Sequence, residues 1–238
     1  FNEKYDPAKL SQSLLALRIA SIMAFLFLSF TFLIGPISRI KKKFSLYKYR
    51  RAFGVTTFLL AGFHFFNVTA LYYQRDIGKA FASPYASFIL FGFTTYIILL
   101  YMALTSWDAV QKQITTRKFK IFHLLVFLSY LLYLGWFYSI HNNFLGKGWI
   151  ISLFVLFWIA TAPWSPLITR TQERVDPWRQ LHFLMWIAYI SIVLHVSFIL
   201  NEFKQSYNMI PAMIAFYTIV IVVMGTHAFG AIKRINEE

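Results

Sequence analysis

Residues 14–34 read LLALRIASIMAFLFLSFTFLI, an almost uninterrupted apolar run in which Arg18 is the one charged side chain. A helix needs about 20 predominantly apolar residues to cross the hydrocarbon core of a bilayer, so this run and its flanks predict a membrane-spanning helix. Six further segments meet the same criterion. The predicted spans are 11–36, 52–73, 84–106, 120–140, 148–168, 178–200 and 209–232.

The composition agrees with this interpretation. Of the 238 residues, 58% are hydrophobic and 13% are charged, whereas roughly a quarter of the residues in a soluble domain are charged. All seven spans are expected to be helices, because an open sheet leaves backbone groups unsatisfied in lipid. We therefore expect an all-α integral membrane bundle, with residues 1–238 forming a single transmembrane domain.

The basic residues indicate an orientation for the bundle. The loop at 37–53 contains seven Lys and Arg residues and no acid, and further basic residues lie near 107–120, near 168–179 and after the last span. The opposite side has far fewer. Because short cytoplasmic loops are enriched in Lys and Arg, we expect the N-terminus outside and the C-terminus inside. The net charge of +14 then reflects membrane topology, and no nucleic-acid partner is expected.

Several chemistries are excluded by the residues themselves. The sequence has no cysteine, which rules out disulfides, iron–sulfur clusters and Cys-ligated zinc. It has no Gly-rich nucleotide-binding motif, no H-E-x-x-H and no visible Ser/His/Asp set. No carboxylate lies in a span core, which argues against a proton-coupled pump. Lys233 lies at the inner end of its span, where it cannot serve as a retinal lysine.

Two of the six histidines are expected at similar depth in the outer half of the bilayer. His64 follows Arg51 by 13 residues and His195 follows Arg179 by 16, which places them about 20 Å and 24 Å from the inner surface. Two imidazoles at one depth on two helices are what a six-coordinate haem requires. The alternative is that they only form hydrogen bonds between helices.

The other four histidines are weaker candidates for haem ligands. His123 and His182 each follow an inner basic residue by three positions and form a second candidate pair, while His227 lies in the inner half and His141 at an outer helix end. His182 and His195 are 13 residues apart, so an ideal helix turns them about 220° from one another. They share a face only if that helix contains a π-bulge or a kink.

Several motifs resemble the ferric-reductase-like transmembrane family. The closest branch is similar to the haem-bearing membrane subunit of the periplasmic methionine sulfoxide reductase system, with NADPH oxidases and STEAP metalloreductases more distant. The resemblance covers residues 25–135, with the core expected at 25–200. It is carried by LIGPISR at 33–39, RRAFG at 50–54, His64, ALTS at 103–106 and FHLLV at 122–126.

The sequence departs from the family pattern at Trp136, where the family helix should have a second histidine. WRQLH at 178–182 and then His195 supply the missing motif one hairpin later. Either the sixth predicted span (178–200) fills the family role, or the fourth (120–140) and the sixth share it. The resemblance implies haem b, one or two per chain. It makes His64 the firmest ligand and His195 its partner, with His182 and His123 candidates for a second haem.

The resemblance also implies the protein's role. It predicts electron transfer across a bacterial inner membrane, or another energy-conserving membrane, from an inner reductase, flavin or quinol to an outer acceptor. Arg18 could neutralise propionates of the outer haem, or extend to the lipid interface. Arg51 could meet inner propionates or a flavin or quinone head group.

No nicotinamide- or flavin-binding motif is present, so a redox partner protein or other membrane subunits are expected, and the chain is interpreted as an oxidoreductase subunit. The alternative function is a haem-free structural or anchoring subunit of a larger membrane complex.

Overall fold

The computed structural model describes residues 7–40, 46–83, 86–107, 113, 115–140, 155, 158, 184–203 and 210–237. This part of the chain is helical and contains no strand. Of the predicted fifth span, only residues 155 and 158 are described. His141 and His182 lie outside the described residues, as does the side chain of Trp136.

Seven helices are formed by the described residues, six of them matching predicted spans. They are α1 (Pro7–Ile40), α2 (Tyr47–Tyr73), α3 (Ile77–Ala82), α4 (Ala86–Leu104), α5 (Thr116–Ile140), α6 (Leu184–Phe203) and α7 (Ile210–Glu237).

Four of these helices, α1, α2, α6 and α7, are long and apolar enough to cross a membrane, and α4 and α5 contain the shorter apolar stretches Phe88–Leu104 and His123–Leu132. The prediction of an all-helical membrane protein is therefore confirmed. The number of spans and their orientation stay predictions.

Helix α1 extends four residues beyond Pro36, where the first span was predicted to end. Proline has no backbone N–H to donate, yet α1 runs through Pro36 to Ile40. The residue opposite is Gly230 of α7, where an added Cβ would lie 3.2 Å from the Cβ of Pro36. The absent side chain at Gly230 lets the two helices approach closely at this point.

The turn between α2 and α3 is made by two residues with positive φ, Gln74 at 53° and Arg75 at 64°. The N–H of Arg75 donates to the carbonyl of Thr69 at 2.8 Å, which satisfies a carbonyl at the end of α2. Asp76 then caps α3 by accepting from the backbone N–H of Lys79 at 3.0 Å. The chain thus leaves α2 and enters α3 with most of its terminal backbone groups paired.

Helix α6 is the centre of the described bundle. Its residues pack in two buried clusters, one with α4, α5 and Trp158, and one with α1, α4 and α7. Helix α4 contacts both α2 and α6, and α1 contacts both α2 and α7. Helices α2 and α6 therefore both pack on α4, and a side chain of each can reach the other beside it.

Two polar contacts fix α6 against its neighbours. Thr95 of α4 donates its hydroxyl to the carbonyl of Ala188 at 3.1 Å. Ser29 of α1 and Tyr189 of α6 share a hydrogen bond of 3.3 Å. Such bonds stabilise helix association in membranes by about 1 kcal/mol each, and these two set the rotation of α6 about its axis.

Candidate functional site

The structure brings His64 of α2 and His195 of α6 together. Their ring centroids lie 6.5 Å apart and their ring planes are inclined by 86°. The two helices come from opposite halves of the sequence, so this contact is produced by the packing of both helices on α4. Both rings are partly buried, and α4 forms one wall beside them.

The orientation of the His195 ring is fixed by a hydrogen bond. Its Nδ1 lies 2.6 Å from the carbonyl oxygen of Phe88 on α4. A carbonyl oxygen only accepts, so Nδ1 must be the donor and must have the proton. The neutral ring then has its lone pair on Nε2, which is the form in which histidine binds metals. A metal-bound histidine commonly donates its second ring N–H to such a carbonyl.

The environment of His64 is less polar than that of His195. Its Nδ1 is buried and has no hydrogen-bond partner of good geometry among the described residues. The backbone of Leu17, on α1, is the polar group that faces this ring. Arg18 follows Leu17 directly and is exposed on the outside of α1. A basic side chain therefore lies at the level of the histidine pair.

Aromatic side chains of α2 and α4 line the neighbouring helix contact. Tyr96 of α4 stacks on Phe65 of α2 at 5.4 Å and on Phe58 of α2 at 5.5 Å. The ring of Phe88 lies 5.9 Å from that of His195. These rings make the surroundings of the pair largely apolar.

These residues fit a haem. A metal–imidazole bond is about 2 Å long, so two such bonds in line, together with the ring radii, require centroids roughly 6 Å apart. The observed separation of 6.5 Å meets this requirement. Among the described residues no group of three or more His, Cys, Asp or Glu side chains is formed. A haem needs no such group, since the macrocycle supplies the other ligands.

His123 has a partner of its own. Its ring is 1% exposed and Nε2 accepts a hydrogen bond of 2.7 Å from the indole N–H of Trp158. The lone pair of Nε2 is thereby engaged. The second candidate haem pair, His123 with His182, stays a prediction, because His182 lies outside the described residues.

His227 satisfies a backbone group that proline leaves unpaired. In a helix, the carbonyl of Phe32 would accept from the N–H of residue 36, but Pro36 has none. Nε2 of His227, on α7, donates to this carbonyl at 2.9 Å. The ring also lies against Phe32 and Trp186, with centroids 4.2 Å and 4.8 Å away. This contact explains how α1 continues through Pro36.

Arg51 lies far from the histidine pair. It is exposed in the first turns of α2, 13 residues before His64, which corresponds to about 20 Å along the helix. It therefore belongs to the opposite end of α2, where its predicted partners are inner propionates, a flavin or a quinone head group.

The sequence did not predict three residues at these sites, namely Gly92, Phe88 and Trp158. Phe88 acts through its backbone, which no side-chain pattern reveals. Gly92 offered a signal, since small residues within apolar spans often mark close helix contacts. Trp158 was one of many aromatic residues, and its pairing with His123 depends on tertiary structure.

Comparison with known proteins finds one family model that matches just under half of the chain. Residues 20–134 match the sequence model of the family described as ferric reductase like transmembrane component. Members of that family typically bind haem. The matched range includes His64, Gly92 and His123, while His195 lies beyond it.

The chain is also similar to two curated proteins, the magnetosome protein MamZ of Magnetospirillum gryphiswaldense and that of Paramagnetospirillum magneticum. Each is 27% identical over 144 residues, which cover 59% of this chain and 22% of the relative. The match thus spans about a fifth of the length of these relatives. No solved structure is significantly similar.

Proposed function

Because residues 20–134 match the ferric-reductase-like transmembrane family, we propose that this chain is a haem b-binding membrane subunit that carries electrons across the bilayer. His64 and His195 are its proposed axial ligands. One observation carries the proposal: the two rings, from distant parts of the sequence, lie 6.5 Å apart. The hydrogen bond that leaves Nε2 of His195 unprotonated supports it.

A haem at this position would supply a one-electron oxidation–reduction couple. The protein's contribution is to hold both imidazoles in place and to keep water away from them. Phe88 orients one ring through its carbonyl, and the aromatic contact between α2 and α4 excludes water. Arg18, next to the residue whose backbone faces His64, is the proposed counter-charge for the haem propionates.

The direction of electron flow follows from the proposed orientation. With the N-terminus outside, the histidine pair lies in the outer half, close to the acceptor. The donor is a reductase, flavin or quinol on the inner side, where Arg51 is the proposed contact. We place the protein in a bacterial inner membrane or another energy-conserving membrane. The narrower resemblance to a methionine sulfoxide reductase subunit belongs to this proposal.

A second haem between His123 and His182 is a further possibility within the same proposal. It would require Trp158 to release Nε2 of His123, since that nitrogen now accepts a hydrogen bond of 2.7 Å. The proposal therefore takes the His64–His195 site as the primary one.

The test is the haem content of ligand variants. His64→Ala and His195→Ala should each abolish the low-spin b-type spectrum of the purified protein, because each removes one axial ligand. Asn67→Ala is the matched control, since Asn67 lies one turn from His64 on α2 and, among the described residues, its side chain bonds only the carbonyl of Phe63. Full haem content in either histidine variant would refute the assignment. A folded, colourless wild-type protein would favour the haem-free anchoring subunit instead.

A further inference from the structure

The ring of His195 lies directly against the backbone of α4, at Gly92. A Cβ added at Gly92 would lie 2.8 Å from Nδ1, 2.9 Å from Cε1 and 3.4 Å from Cγ of His195. The first two distances are shorter than non-bonded carbon contacts permit, since optimal contacts lie near 3.5 Å. The imidazole therefore occupies the volume that any other side chain at position 92 would need.

The same turn of α4 provides the hydrogen bond to this ring. In an α-helix, the carbonyl of Phe88 accepts from the N–H of Gly92, and here it also accepts from Nδ1 of His195 at 2.6 Å. The ring can reach this carbonyl because no Cβ stands between it and the helix. Van der Waals fit and hydrogen bonding thus act on one ring at one place.

We propose that the Phe88 carbonyl and the bare Cα of Gly92 form a seat, here called the α4 seat, which positions His195 for coordination through Nε2. The seat fixes both the location of the ring and its tautomer. This inference rests on the proposed function, in which His195 is an axial haem ligand. Gly92 and Phe88 are positioning residues that act through His195.

The seat has a chemical consequence for a bound haem. An imidazole that donates its Nδ1 proton to a carbonyl is a more basic ligand through Nε2. A more basic axial ligand favours the ferric form, and second-shell hydrogen bonding is one of the means by which proteins set haem potentials. Displacing the ring from the seat should therefore raise the midpoint potential and change the angle between the two imidazole planes.

The first experiment compares two glycine variants of the haem-loaded protein. Gly92→Ala should lose haem or, where haem remains, show a more positive midpoint potential and an altered low-spin EPR signal. Gly62→Ala is the control, because Gly62 is also buried between α2 and α4, but its added Cβ would meet the Tyr96 ring at an ordinary 3.4 Å. It should keep the wild-type values. Unchanged haem content, potential and EPR signal in Gly92→Ala would overturn the proposal.

The second experiment uses full-length protein from haem-limited cells and needs no haem. Thermal unfolding in detergent is measured for Gly92→Ala, for His195→Ala and for the double variant. Gly92→Ala should lower the melting temperature when the His195 ring is present. In the His195→Ala background, Gly92→Ala should leave the melting temperature unchanged or raise it, since alanine is a better helix former than glycine.

An equal change in melting temperature on Gly92→Ala with His195 and with His195→Ala would show that Gly92 does not accommodate the His195 ring. That result would refute the proposed α4 seat. Because this comparison is made without haem, a protein that never binds haem would refute the proposed function and still allow the seat to be tested. The two proposals can therefore fail separately.

Discussion

Replacing His227 with Phe should destabilise the protein, and a second substitution at Pro36 should reverse the effect. His227 donates from Nε2 to the carbonyl of Phe32 at 2.9 Å. This carbonyl has no helical donor, because residue 36 is proline. His227→Phe keeps an aromatic ring near Trp186 but removes the donor.

The expected cost follows from the polar group that is left behind. A buried acceptor that loses its partner costs about 1–3 kcal/mol. The variant Pro36→Ala restores an N–H four residues after Phe32, so the helix can pair the carbonyl itself. In that background, His227→Phe should cost about 1 kcal/mol or less, since what remains is the change in side-chain packing.

The assay is the free energy of unfolding in detergent, measured for the wild type, both single variants and the double variant. Thr226→Val is the matched control, because Thr226 precedes His227 on α7 and its hydroxyl donates to the carbonyl of Val222, within its own helix. Equal costs of His227→Phe with and without Pro36 would refute the account, because they would show that the proline-freed carbonyl is not what His227 stabilises.

Two further predictions concern the second histidine site and the topology. His123→Phe should lower the free energy of unfolding by about 1–3 kcal/mol, because it removes the acceptor of the buried indole N–H of Trp158. Haem bound by His64 and His195 should be retained. Loss of that haem would contradict the assignment of these two ligands. Since the chain has no cysteine, single cysteines report accessibility without background. An impermeant thiol reagent should label Ala82→Cys and not Lys48→Cys in intact cells, and the reverse pattern would overturn the proposed orientation.

The membrane spans could be predicted from the sequence because the requirement is simple. A stretch such as 14–34 has one charge and enough apolar length to span the bilayer, and a helix pairs its backbone groups within the segment itself. The end of α1 was predicted less well. The first span was predicted to end at Pro36, but Pro36 lies inside α1. His227, 191 residues later in the sequence, supplies the donor that the carbonyl of Phe32 would otherwise lack. A local pattern contains no information about such a distant partner.

The sequence predicts the depth of the candidate site in the membrane, but not which helix faces meet there. Depth along a helix is set by the rise per residue, so His64 and His195 could be placed at one level from their distance to inner basic residues. Which faces of the helices meet depends on packing. The contact of His195 with Gly92 and the pairing of His123 with Trp158 arise from the rotation of helices about their axes. That rotation is fixed by contacts such as Thr95 with Ala188, which no single segment specifies.

The family match covers one of the two histidines of the proposed site and not the other. It covers His64 and Gly92 and ends at residue 134, so His195 is connected to the family only through its position beside His64. The chain has Trp136 where the family pattern has histidine. The position of His195 beside His64 is therefore important. We infer that α6 contributes the ligand that the helix containing Trp136 would otherwise provide.

The most direct test of the central claim is to purify the full chain in detergent and to measure haem per chain with a pyridine haemochrome assay, together with oxidised and dithionite-reduced spectra. We expect a low-spin b-type spectrum and at least one haem per chain. A protein that is folded, produced with ample haem and still colourless would contradict it.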